Sequence, residues 1–355
     1  MFDVAIVGGG PAGSSCASFC AQAGLHTLLL ERENFPREKV CGDCLNPSCW
    51  PVLRRLELEE HVRALPHGKL CAVEFIGTNR RSISVALPDG AEIAVKRSLF
   101  DELLLSRARA LGAEVFENTT VTELQRDEHW RICATGQDFE ARVLVAADGR
   151  NSTVARLCNL LPRVGKERVA LQTHIALPDD FGDRVVLQFL PEGYSGQAPT
   201  GNGELNLCLV GKPNSISNLK IWAEEEFGIS RNHSWRTITP LTRKALAPAH
   251  ARLFLIGDAA RVVEPFTGEG IFYALRSGEL AAQAIAKFTA GVDEGEARGE
   301  FEQQQRSMYS GRLWLNRLAR AAVLSPRFAS RVLSIAHLQP TILRTLTAKV
   351  TGRRD

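Results

Sequence analysis

The sequence predicts an α/β protein with a Rossmann-like domain on a parallel sheet, an inserted and mostly antiparallel β-sheet domain, and a helical C-terminal tail. Three observations carry this prediction. Residues 3–7 (DVAIV) and 27–31 (TLLLE) are apolar runs that flank a helical pattern at 11–24, which is typical of a strand, helix, strand unit. From about residue 167 to 250 the pattern changes to alternating β segments. At 252–257, RLFLIG returns to a buried strand, which we place back in the parallel sheet.

The elements between these landmarks follow in order. Cys16 and Cys20, four residues apart in the first helix, are predicted to face the sheet. A second helix is predicted at 98–111, with Ser98 as its N-cap and Gly112 just past its end. Short β-like runs follow (EVFE, TVTEL, WRICAT, FEARVLVAA), and RNSTVARL then begins another helix. One helical stretch, 217–227, interrupts the β segments of the inserted domain.

These patterns divide the chain into three parts. The Rossmann-like domain is discontinuous and takes residues 1–70, 96–160 and 250–300. The inserted domain takes 71–95 and 161–249, and the tail takes 301–355.

Composition excludes several classes of protein. The formal net charge of +3 gives no general nucleic-acid footprint, and no apolar run reaches the length needed to span a bilayer. Residues 1–10 run directly into a strand without the pattern of a secretion signal, so we expect a cytoplasmic protein whose nine cysteines are mostly thiols. Cys41 and Cys44 have C-x-x-C spacing, but no second pair accompanies them, so two thiols in a tight loop are favoured over zinc or a redox dithiol.

The segment GGGPAG predicts a dinucleotide site. Gly8, Gly10 and Gly13 have the G-x-G-x-x-G spacing between a strand and a helix. The first glycine permits the turn, the second lets the main chain approach a pyrophosphate, and the third lets the helix lie close to the strand. Glu31, which ends the second strand, is placed to accept hydrogen bonds from an adenosine ribose.

A second glycine segment, GDAARVVEPFTGEGI, favours FAD over NAD. NAD would leave this elaborate turn unexplained, whereas FAD continues beyond the pyrophosphate into a ribityl chain and a flavin ring. Asp258, after Gly257 at a strand end, could hold the ribityl hydroxyls. The main-chain amides from Gly268 through Glu269 and Gly270 to Ile271 would face the flavin edge where negative charge collects on reduction. Pro265 belongs to the same predicted cofactor site.

The chain resembles the flavoprotein superfamily that joins geranylgeranyl reductases with aromatic-ring hydroxylases of the p-hydroxybenzoate hydroxylase type, the group A flavin monooxygenases. Three motifs match in order: GGGPAG with Glu31, VAADGRNSTVAR, and IGDAARVVEPFTGEGI. EPFTGEGIFYALRSG and FPREKVCGDCL resemble the reductase branch. The resemblance implies an FAD-binding domain whose further cofactor-contacting residues are Ala12, Arg32, Cys41, Gly42, Arg97, Asp148 and Gly149. It implies that Arg97 contacts the flavin phosphate region.

One departure concerns the substrate. Reductases of this branch have a motif resembling Y-x-W-x-F-P, whereas residues 194–199 read YSGQAP. Tyr194 and Pro199 remain, but Gly196 and Ala198 replace the two aromatics, which widens a pocket or removes contacts along a lipid tail. The W-x-W-x-I-P segment of the related halogenases is absent from the sequence, which argues against halogenation.

Cys41, Tyr194 and His174 are the candidate catalytic residues, and no metal site is predicted. A packing thiol is the alternative for Cys41, and a solvated sheet face is the alternative for His174 and its neighbour Gln172.

In the reductase hypothesis, reduced FAD reduces a C=C bond of an isoprenoid or another lipid-like, hydrophobic small molecule. In the hydroxylase hypothesis, it activates oxygen to hydroxylate an aromatic or polyketide substrate. A flavin-binding protein without turnover is a third alternative. There is no second dinucleotide fingerprint, so NAD(P)H would dock transiently as electron donor, or reduced ferredoxin would replace it.

The tail is basic. Residues 301–355 contain ten Lys or Arg and two acids, Glu302 and Asp355, with leucines at helical spacing. Helices packed on the catalytic body are one interpretation. Peripheral contact with an anionic membrane surface or an acidic carrier protein is the other.

Overall fold

A computed structural model describes residues 1–162, 168–263 and 268–310 of the chain. The helices are α1 (Pro11–Gln22), α2 (Trp50–Arg55), α3 (Glu59–Ala64), α4 (Arg97–Ala110), α5 (Thr153–Leu157), α6 (Ile216–Phe227), α7 (Gly270–Thr289) and α8 (Glu294–Tyr309). The first eleven strands are β1 (Phe2–Val7), β2 (Thr27–Leu30), β3 (Cys44–Leu45), β4 (Gly68–Leu70), β5 (Ala72–Ile76), β6 (Ser82–Ala86), β7 (Glu92–Ala94), β8 (Glu114–Phe116), β9 (Val121–Arg126), β10 (Trp130–Ala134) and β11 (Gln137–Ala146). The others are β12 (Val169–Ala176), β13 (Arg184–Leu190), β14 (Gly193–Gly201), β15 (Glu204–Gly211), β16 (Arg236–Ile238), β17 (Ala249–His250) and β18 (Leu253–Leu255).

The predicted fold class is confirmed by two main sheets. The first has the order β17-β18-β11-β1-β2-β8 and is parallel from β18 to β8, with β10 and β9 attached to β11. The strand at 252–257 therefore returns to the parallel sheet as predicted. The second sheet has the order β16-β12-β15-β14-β13-β5-β6 and is antiparallel except for the β13–β5 pair. A small third sheet, β3-β7-β4, is antiparallel.

The core of the Rossmann-like part lies on both faces of the parallel sheet. Val4 and Ile6 pack on one face, and Ala5 and Val7 pack on the other, as the alternation of β1 requires. Cys16 and Cys20 are fully buried in the Val4 cluster, which confirms that they face the sheet. Helix α7 lies directly on α1, because a Cβ on Gly278 would come within 2.5 Å of the main-chain oxygen of Ala12.

The start of α4 differs from the prediction. Ser98 is not its N-cap: the helix begins at Arg97, Lys96 occupies the cap position, and no side chain caps the main-chain amides. An ion pair between Arg97 and Asp101, one turn apart, supports this first turn instead. Gly112 follows the helix with φ of 100°, as predicted for a residue just past the end.

The last described element crosses the boundary drawn at residue 301. Helix α8 runs from 294 to 309, and Phe301 is buried against Phe254 with ring centroids 5.1 Å apart. The first nine residues of the basic tail therefore belong to the folded body. Residues 311–355 lie outside the described residues, together with the membrane and carrier-protein hypothesis that rests on them. Within the described ranges, no helix is long and apolar enough to cross a membrane.

Candidate active site

A cavity of about 680 Å³ extends from the first glycine turn to the face of the second sheet. Most of the predicted site residues line it: Gly8, Gly10, Ala12, Glu31, Arg32, Cys41, Gly42, Arg97, Asp148, Gly149, Tyr194, Asp258, Gly268, Gly270 and Ile271. Gly13, Gly257, Glu269 and His174 lie behind the wall, and Pro265 lies outside the described residues. The fold thus brings together predicted residues that are up to 263 positions apart in the sequence, from Gly8 to Ile271.

The first glycine turn has the steric form that its spacing predicts. Gly8 has φ of 106°, and a Cβ there would lie 2.6 Å from the main-chain oxygen of Ala147. A Cβ on Gly13 would lie only 1.8 Å from the oxygen of Gly8, so α1 can approach β1 only with glycine at this position. Gly10 opens on the cavity, where its nearest neighbour would be the Arg37 guanidinium at 3.4 Å.

Glu31 supports the turn as well as lining the cavity. Its carboxylate accepts hydrogen bonds from the main-chain amides of Gly9 (2.7 Å) and Glu33 (3.0 Å), and the residue is only 6% exposed. The predicted ribose contact would use lone pairs that these two amides leave free. The neighbouring Arg32 is largely exposed.

A cluster of basic side chains beside Gly10 was not identified from the sequence. Asp101, which is fully buried, accepts hydrogen bonds from Arg37 (2.9 Å) and from two nitrogens of Arg97 (both 2.7 Å). Burial, together with nearby arginines including Arg37 and Arg97, lowers the pKa of Lys39 to about 8. This concentration of positive charge suits a diphosphate. The four-residue spacing of Arg97 and Asp101 was the available signal.

Two aspartates predicted from the second and third motifs have main-chain and ionic partners. Asp148 Oδ2 accepts from the amides of Thr153 (2.6 Å) and Val154 (3.0 Å) at the start of α5. Its buried Oδ1 has no partner among the described residues, so a ligand hydroxyl could donate to it. Asp258 accepts from Arg150 at 2.9 Å on the cavity wall.

The second glycine entrance opens on the cavity at the start of α7. Gly268 has φ of 64°, and a Cβ on Gly268 or on Gly270 would meet nothing within 4 Å. Two further predicted residues are not among those that line the cavity. The Glu269 side chain is fully buried, and a Cβ on Gly257 would contact Ala12 and Ala274. The predicted flavin contact of the main-chain amides at the start of α7 does not involve the Glu269 side chain and stays a prediction.

The loop that contains Cys41 is anchored by the second sheet. Asp43 is fully buried with φ of 61°, and its Oδ2 lies 2.9 Å from Nε2 of His174 and accepts from the side-chain amide of Asn206. The same amide donates to the main-chain oxygen of Cys41 at 2.8 Å. His174 therefore contacts the buried Asp43 of this loop and is not among the residues that line the cavity, so its assignment as a catalytic residue stays a prediction. Gln172, on the same strand face, is fully buried and not solvated.

Burial sets the protonation of this loop. It raises the pKa of the Cys41 thiol, which lines the cavity and therefore keeps its proton at neutral pH. Burial also raises the pKa of Asp43, although the hydrogen bond from His174 opposes the shift. Among the described residues no group of three or more His, Cys, Asp or Glu side chains could hold a metal ion.

The remaining wall is mostly apolar and comes from the second sheet. Tyr194 is 3% exposed, and Gly196 and Ala198 follow it on the same face of β14. The other members of this wall are Val73, Phe75, Ala170, Val185, Leu187, Phe189, Cys208, Val210, Ile238 and Leu241. The two positions where the sequence has small residues therefore lie on the cavity wall.

These features fit FAD. The glycine turn and the basic cluster suit the diphosphate, the open entrance of α7 suits the flavin edge, and Asp148 and Asp258 offer acceptors for hydroxyl groups. The apolar wall lies in the same cavity.

Comparison with known proteins agrees with this geometry. Residues 1–184 match the family described as FAD binding domain. The chain is 28% identical to conditioned medium factor receptor 1 of Dictyostelium discoideum over 334 residues, which cover 80% of this chain and 63% of that protein. It is 29% identical to the menaquinone reductase of Mycolicibacterium smegmatis over 318 residues, covering 80% of this chain and 76% of the reductase. A geranylgeranyl bacteriochlorophyll reductase-like protein from Thermoplasma acidophilum shares the fold, with a TM-score of 0.81, 23% identity, and coverage of 99% of this chain and 94% of that one. The chain therefore belongs to the FAD binding domain family and is an FAD-dependent oxidoreductase.

Proposed function

We propose that the protein uses reduced FAD to reduce a carbon–carbon double bond of an isoprenoid or another lipid-like molecule. This proposal rests on one observation. Both glycine segments and a long apolar wall line the same cavity. An apolar wall excludes water and buries a hydrocarbon chain, and each buried methylene contributes about 0.8 kcal/mol to binding. The Cys41 loop and the EPFTGEG segment, which resemble the reductase branch, support reduction over hydroxylation.

The residues of this chain have distinct tasks in such a reaction. The Arg37, Arg97 and Lys39 cluster would bind the diphosphate of FAD, and the amides at the start of α7 would stabilise negative charge at the flavin edge. FAD, when bound, supplies the two-electron chemistry. Cys41 holds a proton on Sγ at the cavity wall and is the candidate proton donor to the substrate.

NAD(P)H is proposed as the transient electron donor. The only glycine fingerprint in the described first domain is the one assigned to FAD, so a second nucleotide would bind at the surface and leave. The basic tail supports a surface contact with an anionic membrane, from which a lipid-like substrate could enter.

The test uses FAD-loaded protein reduced with dithionite under nitrogen and incubated with geranylgeraniol. The expected product gains two hydrogens for each double bond reduced, as seen by mass spectrometry, and NADPH is expected to replace dithionite. Cys41→Ala is expected to slow product formation, whereas Cys71→Ala, which removes an exposed thiol away from the cavity, should not. Unchanged geranylgeraniol would contradict reduction. An added oxygen atom on an aromatic probe in air would favour the hydroxylase alternative, and neither product would favour a flavin-binding protein without turnover.

A further inference from the structure

The apolar part of the cavity wall contains one acidic side chain, Glu92, for which the sequence analysis predicts no role. Glu92 is the first residue of β7, lines the cavity and is 8% exposed. Within the described part of the chain, no group is hydrogen-bonded or ion-paired to its carboxylate. An ionised group in this situation is strongly disfavoured unless a partner is supplied.

A hydrophobic cluster lies on the side of β7 that carries Glu92. Strand alternation places it on the side of β7 that carries Ala94, which packs with Leu70, Leu87 and Ala198. Leu70 is also its register partner on β4. The partly buried neighbours of this cluster are Cys44, Val73 and Val185, and all three line the cavity.

Among the described residues, the Cys44 thiol lies on the same side of β7 as Glu92, because Cys44 on β3 is the register partner of Ala94. Burial, and after it the charge of Glu92, raises the pKa of Cys44. Burial and the charge of Glu92 also raise the pKa of Cys49, which packs with Ile93 and Val95 on the other side of β7. Lys69, which precedes Leu70 on β4, is exposed and points to the other side of its strand. Burial alone raises the pKa of Glu92 to about 7, so the protonated form is well populated at neutral pH.

The chain before Glu92 is fixed, which keeps the carboxyl group inside. Trp50 donates its indole N–H to the main-chain oxygen of Ala91 at 2.8 Å, and Arg63 donates to that of Gly90 at 3.2 Å. The Arg63 guanidinium also stacks on Trp50 at 4.0 Å from the ring centroid. These contacts fix the main chain that leads into β7, from which the Glu92 side chain lines the cavity.

We propose that Glu92 is a specificity-determining residue that, in its protonated form, donates a hydrogen bond to a carbonyl oxygen of an otherwise apolar substrate. This inference rests on the proposed function, because it names the class of lipid-like molecule that the cavity takes: one with a hydrogen-bond-accepting carbonyl in addition to its hydrocarbon part. A carboxylic acid in an apolar wall is a donor with no competing partner there. A carbonyl satisfies it, whereas a pure hydrocarbon leaves it unpaired.

The test measures binding to the FAD-loaded, oxidised protein, so no turnover is required. The probes are 2-methyl-1,4-naphthoquinone and 2-methylnaphthalene, which share a ring system and differ in the carbonyl groups. Equilibrium dialysis gives the ratio of their dissociation constants for the wild type, Glu92→Gln and Glu92→Leu. The wild type is expected to prefer the quinone by about fivefold to tenfold at pH 6, the range of one net hydrogen bond.

The pH dependence and the two variants separate this role from packing. The wild-type preference should fall as pH rises from 6 to 8.5, because the donor is lost above a pKa of about 7. Glu92→Gln keeps an N–H donor and should keep the preference without its pH dependence. Glu92→Leu should lose the preference while still binding 2-methylnaphthalene, which also shows that it is folded. A quinone preference that is the same in all three proteins, or a wild-type preference that does not change with pH, would overturn the proposal. This binding test does not depend on double-bond reduction. A protein that reduces no double bond can still show the quinone preference, so failure of the proposed reaction and failure of the Glu92 proposal give different results.

Discussion

The burial of Glu92 predicts a specific effect on the free energy of unfolding. Its pKa rises from 4.5 to about 7 on folding, because the carboxylate loses water and gains no partner. Between these values the folded protein keeps a proton that the unfolded chain releases. Stability therefore falls as pH rises through this window, and the loss is complete above pH 7. At about 1.4 kcal/mol per unit, the loss reaches about 3 kcal/mol.

Glu92→Gln removes the titration and should remove this loss. At pH 5 the variant and the wild type should differ little, whereas at pH 8 the variant should be more stable by up to about 3 kcal/mol. Urea unfolding at the two pH values, with saturating FAD in every sample, measures the difference. Glu60→Gln, which removes an exposed glutamate, is the control and should shift neither value. A Glu92→Gln variant that gains no stability relative to the wild type between pH 5 and pH 8 would refute the reasoning.

Four other changes test the rest of the site. Gly13→Ala should abolish FAD binding in a fluorescence titration, because the added Cβ would lie 1.8 Å from the main-chain oxygen of Gly8. The control is Gly299→Ala, on an open face of α8, which should leave FAD binding unchanged. Asp101→Asn should weaken FAD binding at least tenfold, because Arg37 and Arg97 would lose the buried carboxylate that positions them; unaltered affinity would show that the cluster does not hold the diphosphate. Gly196→Phe should fill the cavity and weaken binding of 2-methylnaphthalene but not of FAD, as dialysis would show. Removing residues 311–355 should abolish sedimentation with anionic vesicles, and co-sedimentation of the shortened chain would exclude the tail as the membrane contact.

The cofactor half of the site could be predicted because its constraints are local. Glycine at position 13 is required by a clash with the main-chain oxygen of Gly8, so the short glycine segment itself contains that information. Glu31 was recognised from its place at a strand end. The start of α4 could not be predicted in the same way, because a favourable cap at Ser98 competed with the Arg97–Asp101 ion pair, and the pair determines the first turn.

The substrate half could not be predicted because its constraints are not local. Alternation along β12 correctly placed Gln172 and His174 on one face, but it gives no information on what covers that face. Glu92 follows Asp89 and Gly90, a turn-like sequence that favours a surface position. Only the pairing of β7 with β4, and the packing of Ala94 against Ala198 on β14, bury it.

The Cys41 loop shows why the two halves depend on each other. Asp43 has φ of 61°, which non-glycine residues seldom adopt, so other parts of the protein must hold it there. The partners are His174 on β12 and Asn206 on β15, both in the second sheet. Asn206 also holds the main-chain oxygen of Cys41. The position of the cavity-lining thiol is thus set by strands of the second sheet, although the loop follows the first strand, helix, strand unit. A change in the packing of that sheet would reach Cys41 through the hydrogen bonds of His174 and Asn206, so the loop connects the apolar cavity wall with the Cys41 thiol.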